Sequence, residues 1–102
     1  MSPATDEELR AGMRRELRAI RRERLPASWD DESRFREELG LDSLDLVEMV
    51  ARLEQATGLF VPDSDMAKLT SVSSTAAYVH ARRGEQAAVA AELASRADER
   101  VR

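Results

Sequence analysis

The chain has 102 residues, with 16 Lys and Arg against 20 Asp and Glu, a single histidine and no cysteine, for a formal net charge of −4. That length builds one small domain with a modest core. The missing cysteines exclude disulfides, thiolate metal sites and a cysteine nucleophile, and His80 alone cannot make a histidine-rich metal site.

No apolar run approaches the roughly 18 to 20 residues of a membrane span. The opening MSPATDEELR lacks the basic-then-apolar pattern of a secretory signal, so a soluble, cytoplasmic protein that contacts no membrane is expected. Ala, Leu, Glu and Arg dominate and aromatics are 4% of the chain, a balance that favours helix over sheet. Charge is uneven. Residues 1–29 carry seven Arg against five acids, residues 30–66 eleven acids against three Arg, and residues 67–102 six bases against four acids. The acidic middle would attract basic partners and repel nucleic acid.

The first helix is expected over about 5–24. Thr5 and Glu8 stand at capping-box spacing, Leu9, Met13, Leu17 and Ile20 form an apolar stripe, and Pro26 ends it. Its arginines read as a solvated face, with a docking surface for an acidic partner as the alternative. The connection ASWDDESRFREELGLD is long for a helix–helix loop; Trp29, Phe35, Leu39 and Leu41 are its expected anchors, Gly40 suits a left-handed turn, and Asp30-Asp31-Glu32 reads as a solvated turn. SLDLVEMVARLEQATG predicts a second helix over 43–57 closed by Gly58. Leu46, Val47, Val50 and Leu53 face inward there, Leu44 and Met49 lie at the edges, and Asp45, Glu48 and Glu54 face out. LFVPDSDMAKL predicts a short helix capped by Asp63 or Ser64. Ser71 then caps a last core helix with Val72, Ala76 and Val79 inside and His80 exposed near its end. In the Ala-rich tail, Val89, Leu93 and Ala97 recur at four-residue spacing, so residues 85–102 form a marginal or frayed helix beyond a domain of residues 1–84.

No phosphate loop, metal-ligand cluster or catalytic triad appears. What stands out is Ser43, within LGLDSLDL at the start of the second helix. On its own terms a serine there is a helix cap, a role Asp42 would fill almost as well. The wider stretch FREELGLDSLDLVEMVARLEQATGLFVPDSDMAKLTSVSSTAAYV resembles the acyl carrier proteins of fatty acid and polyketide synthesis. The likeness lies in the L-G-x-D-S-L-D core, the acidic helix after it, the V-P-D turn and the Leu-Thr-Ser-Val entry to the last helix. The first helix matches only in position and period.

The resemblance implies an all-α fold, a small bundle of three main helices and one short one. It implies that Ser43 receives 4′-phosphopantetheine from coenzyme A through a phosphopantetheinyl transferase, which supplies its own Mg²⁺ and base. The arm brings the thiol the chain lacks, and acyl groups ride on it as thioesters. By the same resemblance Asp42, Asp45, Glu48 and Glu54 are acidic recognition positions and Leu44 and Met49 apolar ones, read by loading enzymes, synthases and transferases with basic docking surfaces. Gln55 departs from the family, standing where many members have an acid. A non-catalytic, monomeric carrier is expected, and the arginine bias favours polyketide or other secondary metabolism over fatty acid synthesis. An aminoacyl or peptidyl carrier of nonribosomal synthesis shares the motif and the arm, and an unmodified helical interaction module is the third possibility.

Overall fold

The computed structural model describes the backbone of residues 5–101 and the side chains of residues 5–96; the sequence readings on residues 1–4 and on the side chain of Ala97 fall outside these. Three α-helices, α1 (Asp6–Arg21), α2 (Ser43–Thr57) and α3 (Val72–Val101), are joined by two connections that carry short 3₁₀ helices at Arg22–Arg24 and Asp63–Lys68. No strand occurs among the described residues. The Thr5 hydroxyl accepts from the Glu8 N–H at 3.1 Å, capping α1 as its sequence predicts.

The core gathers Leu9, Met13 and Leu17 from α1, Met49, Val50 and Leu53 from α2, and Val72, Ala76 and Val79 from α3. Helix α1 packs against both of the others. Phe35, Leu39, Leu41, Leu59, Val61 and Leu69 fill the core from the connections. Phe35 is wholly buried, a contribution of about 1.5–3 kcal/mol from one loop residue. Trp29 packs partly against the core, with the Arg18 guanidinium 5.5 Å from its ring centroid.

The long α1–α2 connection is held by backbone bonds to the far side of the domain. The Phe35 N–H donates to the Thr70 carbonyl at 2.8 Å, and the Ser73 N–H donates to the Asp31 carbonyl at 2.9 Å. The carboxylate of Asp31 then accepts from Arg14 through both Nε and Nη2 at 2.7 Å, and from Arg10 Nη1 at 3.1 Å. Two expectations change here. Asp31 is not part of a solvated turn, and the face of α1 that carries Arg10 and Arg14 is not merely solvated. The two opposite charges meet because the connection folds back across α1.

The inward face of helix α2 differs from the expected one at a single member. Val47 is 55% exposed, whereas Met49 is 2% exposed. The inward stripe is Leu46, Met49, Val50 and Leu53, the i, i+3, i+4, i+7 pattern of one helix face; Val47 lies a quarter-turn off it. The left-handed conformation of Gly58, at φ 73°, ends the helix as expected. The 3₁₀ helix Asp63–Lys68 has no side-chain cap, since Pro62 occupies the cap position in place of Asp63 or Ser64. Asp65 instead accepts from the Tyr78 hydroxyl at 2.6 Å and pairs with Lys68 and Arg82. Ser71 caps α3, its hydroxyl accepting from the Ser74 N–H at 3.1 Å.

Residues 85–101 continue α3 without interruption. Thirty residues at 1.5 Å rise make a helix of about 45 Å, which accounts for a long axis of 61 Å against 26 and 19 Å in the other directions. Val89 and Leu93 on this extension are 58% and 59% exposed.

Candidate functional site

The site begins with the backbone at residues 40–45. Gly40 at φ 72° turns the chain, Leu41 is buried, and its N–H donates to the Phe35 carbonyl at 2.8 Å. This delivers Asp42 as the cap of α2 with extended backbone. The Asp42 carboxylate accepts from the Asp45 N–H at 2.8 Å, and the Asp45 carboxylate accepts from the Asp42 N–H at 3.1 Å, a reciprocal capping box. Those backbone bonds hold the Asp42 carboxyl below the usual carboxylate range.

Ser43 is therefore the first residue inside α2 and not its cap. Asp42 wins the position because its charge suits the positive end of the helix dipole. Freed of that duty, the Ser43 side chain is exposed, and its Oγ accepts from Arg36 Nη2 at 2.8 Å. Beside it opens a groove of about 320 Å³ lined by Ser43 and Arg36, then by Phe35, Leu46, Val47, Met66 and Leu69. One exposed hydroxyl thus stands over a mostly apolar channel between α2 and the 3₁₀ helix.

The expected recognition residues are arranged unequally. Leu44 is 79% exposed beside Ser43. Met49 belongs to the core and presents nothing to a partner; the expectation that it lies on the docking face is corrected by the register of α2. Asp45 faces Arg21, whose Nη1 donates to it at 3.0 Å with both side chains largely covered. Glu48 is exposed and pairs with Arg52 at 2.8 Å, and Arg52 also reaches Glu16 of α1. Glu54 accepts from the Val61 N–H at 2.9 Å, which fixes the start of the second connection. Sequence reasoning missed Arg36 and Val47. Arg36 had a signal, since it follows the anchoring Phe35 and must point the other way; the exposure of Val47 follows only once Met49 is seen inside.

Nothing at the site resembles a catalytic apparatus of nucleophile and base. The His80 Nε2 lies 2.9 Å from Asp6 Oδ1 and makes no bond with Ser43. No group of three acidic or histidine side chains able to hold a metal is found among the described residues. No helix there is long and apolar enough to cross a membrane.

This geometry suits a phosphopantetheine arm. The hydroxyl is accessible, a cation faces its oxygen, the helix dipole favours an anion at this end, and the apolar groove runs from it. The family described as "Phosphopantetheine attachment site" matches residues 8–79. Those residues take in most of α1, the connection, Ser43 and the buried part of α3, and they stop before the extension. An acyl carrier protein of Rubrobacter xylanophilus is 48% identical over 48 residues, which are 47% of this chain and 59% of that protein. The match thus spans little more than half the length of that relative. With a family match over most of the chain and the bundle to carry it, the chain belongs to the phosphopantetheine-attachment family, that of the acyl carrier proteins, and its prosthetic group is a covalently attached 4′-phosphopantetheine.

Proposed function

We propose that this protein carries acyl intermediates as thioesters on an arm attached to the Ser43 Oγ, in polyketide or other secondary-metabolite synthesis. The observation that carries the attachment point is the exposed Ser43 hydroxyl, placed over an apolar groove by a helix that Asp42 already caps. The chain acts as substrate for other enzymes, first a phosphopantetheinyl transferase and then enzymes that load and extend the acyl group. Residues 1–84 are the carrier domain, and residues 85–102, of which 85–101 continue α3, extend it. The face these enzymes read consists of Leu44 and Val47 with Asp42 and Glu48 around them, while Asp45 and Glu54 act mainly within the fold.

The test is intact mass after incubation with coenzyme A and a broad-specificity transferase, for the wild type and Ser43→Ala. The wild type should gain one phosphopantetheinyl group and the variant none. The variant should keep its stability within about 0.5 kcal/mol, because it loses one exposed hydrogen bond and no cap. Modification persisting in Ser43→Ala would overturn the assignment. Loading the modified protein with acyl and with aminoacyl donors then decides between an acyl and a peptidyl carrier.

A further inference from the structure

We infer that Arg36 is the counter-ion that holds the phosphodiester of the arm against the body of the protein, an inference that rests on attachment at Ser43. Three observations support it. First, the Arg36 backbone is fixed. It sits between the buried Phe35, whose N–H is bonded to Thr70, and a turn in which the Glu38 and Leu39 N–H groups both donate to the Arg34 carbonyl. An arginine on a braced turn loses less freedom when it takes a ligand than one on a loose loop.

Second, its guanidinium is directed at the oxygen in question and at no acid. Nη2 lies 2.8 Å from the Ser43 Oγ, and no ion pair to Arg36 occurs among the described residues, whereas Arg10, Arg14, Arg21, Arg52, Arg82 and Arg96 all pair with carboxylates. A guanidinium has five N–H donors in a planar fork that fits two oxygens of one phosphate. A single neutral hydroxyl uses one of them.

Third, two other sources of positive potential near this end of α2 are already engaged. The Asp45 N–H is bonded to the Asp42 carboxylate, and Arg21 is bonded to Asp45. An anion joined to the Ser43 Oγ therefore arrives next to the negative Asp42, with Arg36 the one cation bonded to that oxygen among the described residues. A charge-assisted bond from Arg36 offsets the repulsion and fixes the direction in which the arm leaves the protein.

The experiment uses the whole chain in its unmodified and phosphopantetheinylated forms, with attachment at Ser43 first established by peptide mass mapping. If the group is found elsewhere or not at all, the Ser43 assignment fails, and this inference with it. With Ser43 modified, the ³¹P resonance of the phosphodiester and the Arg36 side-chain Nε–H resonance are followed in the wild type. The ³¹P resonance is also followed in Arg36→Gln, driven to complete modification as judged by mass. The Arg36 Nε–H resonance should shift on modification of the wild type. The ³¹P resonance in Arg36→Gln should move towards that of free phosphopantetheine, and raising the salt from low ionic strength to 1 M should move the wild-type resonance the same way. A ³¹P resonance that is the same in both proteins and indifferent to salt, with an Arg36 Nε–H unmoved by modification, would overturn the role of Arg36 while leaving Ser43 in place.

Discussion

Replacing Asp31 by asparagine removes a charge that ties the first connection to α1. In the folded protein its carboxylate accepts three bonds from Arg10 and Arg14, and its side chain is 18% exposed against 25% and 27% for the two arginines. Fully exposed pairs contribute about 0.2–1 kcal/mol, and breaking a fully buried pair costs about 3–5 kcal/mol. A half-covered carboxylate shared by two guanidinia lies between these limits, so Asp31→Asn should cost about 1–3 kcal/mol. For a domain of this size that is a fall of roughly 5–20 °C in Tm. The pH dependence identifies the cause. The two arginines hold the Asp31 carboxyl below its ordinary value, with Arg14 the larger influence. A depressed carboxyl stabilises the fold above its unfolded value near 3.8, and that contribution is lost as pH falls through the lower folded value. The gap between wild type and Asp31→Asn, measured by urea unfolding, should be constant above about pH 5 and should narrow below pH 4. A gap smaller than about 0.5 kcal/mol at pH 7, or one that does not change with acid, would refute the ion pair as a source of stability.

Three further substitutions test how α2 and α3 are packed and which side chain meets a partner. Met49→Ala should destabilise by about 2–5 kcal/mol in urea unfolding, whereas Leu44→Ala should leave stability within about 0.5 kcal/mol and slow acyl transfer by partner enzymes even at high salt. Thr75→Val should be neutral or stabilising by up to about 1 kcal/mol in the same assay, because the Thr75 side chain is fully buried and its Oγ1 has no hydrogen-bond partner.

The helical frame was legible because its signals are local. The Thr5 cap, the Leu9–Met13–Leu17 stripe, the Gly58 terminus and the Ser71 cap all depend on residues within a turn or two of each other. Ser43 was legible only through its resemblance to a family, since a serine before an apolar helix is ordinarily a cap, and here Asp42 has that role. What escaped the sequence was long-range or a matter of a few tens of degrees. Val47 and Met49 differ by two positions on a helix with apolar residues at 44, 46, 47, 49 and 50, and only the packing of α1 against α2 selects which go inside. The partners of Asp31 and Asp45 lie 17 to 24 residues away on α1, a distance at which no spacing rule operates.

The arginines of α1 acquire a different meaning once these partners are known. By sequence, residues 30–66 carry eleven acids and three bases, which suggests a strongly negative docking face. In the fold Arg10 and Arg14 neutralise Asp31, Arg21 neutralises Asp45, and Lys68 and Arg82 neutralise Asp65. Arg52 is shared between Glu48 and Glu16. The basic ends of the chain thus serve as counter-charges that let an acid-rich middle fold compactly. The negative potential that remains near Ser43 is local, from Asp42 and from Glu37 on the groove wall. If Glu48 is read by a partner as proposed, the partner's arginine would have to displace Arg52 to reach it, so electrostatic attraction would contribute more to the speed of encounter than to the strength of the complex. On the docking face proposed above, holding such a complex together would then fall to Leu44 and Val47, two exposed apolar side chains close to the serine.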